Sequence, residues 1–133
     1  MQQKNIHWFP GHMQKATREI EERVKIVDVI IELLDARAPL SSRNEKLYKI
    51  TQNKKRVLIL TKKDLADDVI TEKWKEYFTS LNYQVVCADL NEKKLIKTIE
   101  EKINILGRDK REKEIKKGMK PQPIRAMIIG IPN

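Results

Sequence analysis

Four short apolar runs interrupt an otherwise charged chain: Val27 to Leu34 (VDVIIELL), Val57 to Leu60 (VLIL), Val85 to Ala88 (VVCA) and Ala126 to Ile129 (AMII). Their length and their β-branched and aliphatic content predict buried strands. Between them the apolar positions take up a helical period. Ala16, Ile20 and Val24 make one stripe on a charged helix over 14–25, and Trp74, Tyr77, Phe78 and Leu81 share a face of a helix over 71–81. Leu95, Ile99, Ile103 and Leu106 repeat the spacing in the next helix. Strands that alternate with helices predict βαβ units, a parallel sheet and helices on both of its faces. The segment 108–120 (RDKREKEIKKGMK) has only Ile115 and Met119 as apolar members, so it reads as an exposed helix or solvated connector ending at Gly118 and Pro121. No internal repeat or low-complexity tract divides the chain, which reads as one α/β domain.

Charge sharpens this picture. The chain of 133 residues carries 28 Lys and Arg against 19 Asp and Glu, a net charge of +9. The excess sits in two blocks, with 9 basic and 2 acidic residues in 36–64 and 8 and 3 in 106–133. A solvated surface accounts for one such block; two raise the case for a polyanionic partner. Arg43, Lys46, Lys49, Lys54, Lys55 and Arg56 belong to the first block and are candidates for an RNA-facing surface. No apolar stretch approaches the roughly 18 residues of a transmembrane helix, and the start of the chain lacks a signal-peptide core, so a cytoplasmic protein without membrane contact is expected. Cys87 stands alone, which leaves neither an intramolecular disulfide nor a CxxC metal site.

The candidate chemistry lies where strands end. Thr61, Lys62, Lys63 and Asp64 (TKKD) follow the second strand and fit the form [NT]KxD of a guanine-specificity loop. A carboxylate at Asp64 accepts the N1–H and the N2 amine of guanine together, a pairing adenine does not offer, while the aliphatic stem of Lys62 covers the base. TKKD is equally a polar strand-to-helix turn with Asp64 as the cap. Ala88, in Cys87-Ala88-Asp89 after the third strand, is the candidate small residue beside the base oxygen. The fourth strand leads into Gly130, Ile131, Pro132 and Asn133, which match the first half of a phosphate-binding G-x-x-x-x-G-K-[ST] loop. TKKD precedes this element by about 70 residues, the reverse of the usual order in GTPases. The order is that of a circular permutation.

Trp8-Phe9-Pro10-Gly11-His12-Met13, the run DARAPLSSRN from Asp35 to Asn44, TKKD and the terminal MIIGIPN together resemble the ribosome biogenesis GTPase A family over essentially the whole chain. The resemblance implies a partial, circularly permuted P-loop GTPase domain with strands in the order 4-1-2-3. It further implies GTP and GDP as ligands at Thr61, Lys62, Asp64, Ala88, Gly130, Pro132 and Asn133, with Mg2+ in the complete protein and Asn133 as a ligand for K+. His12 matches the family's hydrolytic histidine and would orient water from a flexible turn at Gly11. Trp8 and Phe9 read as an apolar plug, and His7 as an exposed or capping side chain. The implied role is assembly of the large ribosomal subunit, with ribosomal RNA and not DNA as partner. The rest of the P-loop, both switch regions and an RNA-binding domain are expected to follow residue 133, and the 133 residues alone are expected not to hydrolyse GTP. Thr61, where the family more often has Asn, is expected to alter affinity more than specificity.

Two local expectations complete the reading. Asp35 and Arg37 order their turn by local hydrogen bonds, and Ser41 or Ser42 caps the helix that follows. The outer edge of the fourth strand lacks a partner, which predicts self-association through AMII and a poorly ordered GIPN. The alternative to a GTPase is a non-enzymatic basic module that binds RNA or a ribosomal protein.

Overall fold

The computed structural model describes residues 10–130, with side chains from residue 15 onward. His7, Trp8, Phe9, Pro132 and Asn133, and the side chain of His12, lie outside the described residues. In chain order the elements are α1 (Pro10–Ile26), β1 (Val29–Asp35), α2 (Glu45–Thr51), β2 (Lys55–Thr61), α3 (Asp68–Ser80), β3 (Gln84–Cys87), α4 (Leu95–Leu106), α5 (Arg108–Lys116) and β4 (Ala126–Gly130). All strands pair in parallel in the order β3-β2-β1-β4. This is the order 4-1-2-3 that the family resemblance implies. β4 forms an edge, pairs with β1 alone among the described residues, and exposes Ile128.

The two-residue period of the strands divides the core. Val29, Ile31, Val57, Ile59 and Val86 point to one face and pack with Ala88, Leu95, Ile99, Ile103 and Leu106, so α4 covers that side. Leu34, Leu58, Leu60 and Val85 point to the other and meet Phe78 and Trp74 of α3. Trp74 and Phe78 stack with ring centroids 5.8 Å apart. Gly107 separates α4 from α5 because Ile124 fills the space beside it: a Cβ there would lie 2.6 Å from Ile124. Among the described residues no helix is long and apolar enough to cross a membrane.

Several boundaries depart from the sequence reading. α1 begins at Pro10 rather than Gln14, because proline needs no partner for an amide at the first helical position. Gly11 and the His12 backbone are therefore in its first turn and not in a flexible hinge. α2 is capped by Asn44, whose side chain accepts from the Leu47 N–H at 3.1 Å, and not by Ser41 or Ser42. Ser42 Oγ instead donates to Pro39 O at 2.9 Å and accepts from the Asp35 N–H at 3.0 Å, bracing the preceding loop. α3 is capped by Asp67, which accepts from the Val69 and Ile70 amides, so Asp64 is not the cap.

A buried carboxylate dominates the α3 face. Glu32 in the middle of β1 is 2% exposed, and its Oε2 accepts from Arg43 Nε at 3.0 Å. Its Oε1 accepts from Arg43 Nη2 at 2.9 Å and from Arg56 Nη1 at 3.1 Å. The other terminal nitrogen of Arg56 donates to Thr51 O and Oγ1 of α2, and the Arg43 guanidinium lies 4.0 Å from the centre of the Tyr48 ring. Arg43 and Arg56 are thus interior residues, which removes both from the RNA-facing surface suggested by the charge count. Burial pushes the Arg56 pKa down, and the nearby Glu32 charge opposes that shift. Glu32→Ala should strand two buried guanidiniums and cost about 3–5 kcal/mol in chemical denaturation. Glu22→Ala, which breaks an exposed pair with Lys25, should leave the midpoint in place.

Candidate nucleotide-binding edge

A parallel sheet delivers the carboxyl ends of its strands to one edge, and here they end nearly level. Asp35 pairs with Thr61, Leu60 with Cys87, and Leu33 with Gly130. The chain leaves β1 toward β2 on one side, and β4 returns on the other side of β1. The crevice between β1 and β4 is the switch point at which open α/β sheets bind ligands. TKKD and Ala88 lie on one side of it and Gly130 begins the other, with strands two apart separated by about 10 Å.

The loops along this edge are tied to one another. The Ala36 N–H donates to Thr61 O at 2.8 Å, and Thr61 Oγ1 donates to Leu34 O at 3.1 Å, so the threonine hydroxyl bonds locally. Lys62 takes a left-handed conformation, φ 58° and ψ 36°, and leads into a 3-10 turn over Lys63–Leu65. Its Nζ lies 3.6 Å from Asp35 Oδ2, and Lys63 Nζ lies 3.2 Å from Glu92 Oε1. Glu92 Oε1 also accepts from the Asp89 N–H, and that amide bond with the Lys63 pair lowers the Glu92 pKa. Asp89 Oδ1 accepts from the Asn91 N–H. Asp35, Asp89 and Glu92 are therefore engaged. Asp64 is exposed and has no hydrogen bond or ion pair among the described residues.

The remaining assignments fare differently. Ala88, the candidate small residue beside a base oxygen, is buried, and its own N–H donates to Leu60 O at 3.0 Å. In this arrangement Ala88 offers space and not a donor. Gly130 has φ 152°, and a Cβ there would lie 2.7 Å from Leu33 Cβ and 2.9 Å from Leu33 O. Only glycine fits where β4 leaves β1. Cys87 is half-buried, and burial pushes its thiol pKa up, away from nucleophilic chemistry. Among the described residues no group of three or more His, Cys, Asp or Glu side chains is placed to hold a metal ion.

Asp35 has a larger part at this edge than the local turn foreseen from DAR. Its Oδ1 accepts from the Arg37 N–H at 2.9 Å and Nε at 3.0 Å, and its Oδ2 from Arg37 Nη2 at 2.7 Å. The turn forms as expected. Lys62, from the neighbouring strand, joins the same carboxylate. Its acidic position at a strand end was visible in the sequence; the partner across the sheet was not.

No protein-family model matches the chain. It is 43% identical over 128 residues to "Ribosome biogenesis GTPase A" of Bacillus cereus, a match that covers 96% of this chain and 43% of that protein. The protein of the same name from Priestia megaterium is 42% identical over 129 residues, covering 96% and 45%. Among solved structures, GNP-bound YlqF of T. maritima superposes with a TM-score of 0.55 at 25% identity, over 90% of this chain and 43% of that one. Over nearly its whole length the chain is similar in sequence to proteins named ribosome biogenesis GTPase A, and it shares its parallel α/β fold with the matched part of YlqF. It spans less than half the length of the curated relatives it matches.

The Arg37 hydrogen bonds hold the Asp35 carboxyl far below the usual carboxylate range, against the opposing effect of burial. A folded-state pKa below the unfolded value gives stability that is present above about pH 4 and is lost as pH falls through the range below it. Urea midpoints of the wild type should therefore drop between about pH 4 and pH 2 more steeply than those of Asp35→Asn. Parallel curves would remove Asp35 from the ionic balance.

Proposed function

We propose that this chain, a homologue of ribosome biogenesis GTPase A, supplies the base-reading part of a guanine-nucleotide site in a GTPase that assists assembly of the large ribosomal subunit. Asp64 carries the reading. The carboxylate at the [NT]KxD position is exposed and makes no hydrogen bond or ion pair among the described residues, whereas Asp35, Asp89 and Glu92 in the neighbouring loops are engaged. Guanine offers two donors, N1–H and the N2 amine, to such a pair of oxygens, and the aliphatic stem of Lys62 is the group proposed to cover the ring. Ala88 leaves room for the base. Gly130, followed in sequence by Pro132 and Asn133, begins the loop whose amides cradle phosphates, and Gly130 itself lies about 10 Å along the edge.

Hydrolysis of GTP to GDP and phosphate relies on positioning and electrostatics. In this proposal His12 orients the attacking water. Mg2+, when bound, would supply neutralisation of charge on the phosphates, and Asn133 is the residue proposed to hold K+. These ions belong to residues other than those described. The x-G-K-[ST] sequence that completes a phosphate loop is absent from the 133 residues, so turnover is a property proposed for the whole protein. The names of the relatives support a ribosomal role. Ribosomal RNA of the large subunit is the partner proposed, in the cytoplasm.

In the whole protein, Asp64→Asn should weaken GTP binding by ~2 kcal/mol, roughly thirtyfold, because the amide retains one acceptor and turns a donor toward guanine's donors. Competition among GTP, ATP and xanthosine triphosphate measures this. Unchanged guanine preference would return TKKD to the status of a turn and favour a non-enzymatic RNA-binding module. His12→Ala should lower turnover by ~10² with the GTP dissociation constant nearly intact, and equal losses in both would give that segment a folding role.

A further inference from the structure

We infer that Asp35 is a positioning residue for nucleotide binding, its carboxylate holding Lys62 in the left-handed conformation from which the lysine stem and Asp64 face a guanine base. The inference rests on the guanine-site reading above and adds to it the element that fixes the loop's shape.

The argument begins with strain. Lysine is not among the residues that favour the left-handed region, so a lysine at φ 58° persists only where its surroundings hold it. On the β2 side, Thr61 is fixed at both its carbonyl and its hydroxyl by the end of β1. On the other side, Lys62 O accepts from the Leu65 N–H at 3.0 Å, which closes the 3-10 turn that contains Asp64. These backbone bonds set where the turn starts and stops. The side-chain tie is the contact of Lys62 Nζ with Asp35 Oδ2 at 3.6 Å, with the two side chains 30% and 22% exposed. Asp35 is itself immobilised, since Arg37 grips both of its oxygens and the Ser42 hydroxyl accepts its N–H. A rigid anion thus stands beside the cation of a strained residue. Without it the lysine is free to swing away, and Asp64, two positions on, loses its preset direction. Holding the loop in its bound shape before the nucleotide arrives lowers the ordering cost of binding.

Asp35 has a competing role, the ordering of its own turn through Arg37, and the two roles separate by mutation. Dissociation constants of a fluorescent GDP analogue would be measured with the full-length protein. Asp35→Asn should weaken binding about fivefold, the scale of a partly exposed ion pair. Lys62→Met keeps an aliphatic stem over the base and loses only the charge, so it should weaken binding by a similar factor. Asp35→Asn should then cost almost nothing further in the Lys62→Met background. Arg37→Ala loosens the Asp35 carboxylate but keeps its charge beside Lys62, so it should weaken binding by less than Asp35→Asn does. Equal costs of Asp35→Asn in both backgrounds, Lys62→Met binding as wild type, or a loss with Arg37→Ala equal to that of Asp35→Asn would each overturn the inference. The Lys62→Met arm stands even if Asp35→Asn does not fold. Competition by ATP separates the two levels of failure. A wild type without guanine preference defeats the site itself, whereas intact preference with no coupling between Asp35 and Lys62 defeats only the positioning role.

Discussion

The structure depends on where one carboxylate is put. Glu32 stands in the middle of an otherwise aliphatic strand, on the face that carries Leu34, Leu58 and Leu60, and is shielded from water. An ionised group there is tolerated only if its lone pairs are filled, and two guanidiniums fill them. One comes from the start of β2 and the other from the far end of the loop after β1. The gain is better described as specification than as stability, because the desolvation of three charges offsets most of their attraction. Sliding β2 by one residue would carry Arg56 to the α4 face, beside Val29 and Ile31, where no carboxylate waits. The ion pairs therefore admit one register of β1 against β2, the register on which the level strand ends rely.

From that constraint the edge follows. The loop 36–44 is pinned at its far end by Arg43 on Glu32 and at its near end by Asp35 on Arg37 and Lys62. The next loop is pinned to it by Thr61, and to the one beyond by Lys63 on Glu92. Three loops become one surface. Asp64 stands on that surface, exposed and without a hydrogen bond or ion pair among the described residues.

Much of the fold was legible and its polar fastenings were not. Aliphatic runs located all four strands to within a few residues, and the stripe Leu95, Ile99, Ile103, Leu106 located α4, because burial leaves its mark on local composition. The order 3-2-1-4 came from resemblance, since pairing between strands separated by an intervening helix has no local signature. α3 began three residues earlier than its apolar face suggested: Val69 and Ile70 are exposed, and the start is set by the Asp67 cap. Glu32 passed as one polar letter in VDVIIELL. Arg43 and Arg56 were counted with the surface lysines because composition does not distinguish a buried cation from a solvated one. Of the site, TKKD and Gly130 were visible as motifs at strand ends. The tie between Asp35 and Lys62 joins two loops 27 residues apart in sequence and became visible only once β1 and β2 were placed side by side.

The corrected charges also change where the positive surface lies. Lys54 Nζ donates to Val27 O, and Lys55 Nζ donates to Leu106 O and contacts Asp109, so part of the first basic block fastens the amino ends of β1 and β2 to the turn between α4 and α5. The second block behaves differently. Over 108–120 the side chains are mostly exposed, with Lys113 and Lys117 lining a cavity of about 590 Å3 beside Lys54, Lys55 and Lys110. That cavity opens at the amino edge of the sheet, opposite the edge that carries Asp64 and Gly130. A parallel sheet makes its two edges unlike by construction, one receiving the loops that leave the strands and the other the loops that enter them. Here the first ties Asp35 and Glu92 to Arg37, Lys62 and Lys63, and the second interleaves its lysines with Asp28, Asp109 and Glu114, so each edge balances cations against carboxylates drawn from different loops.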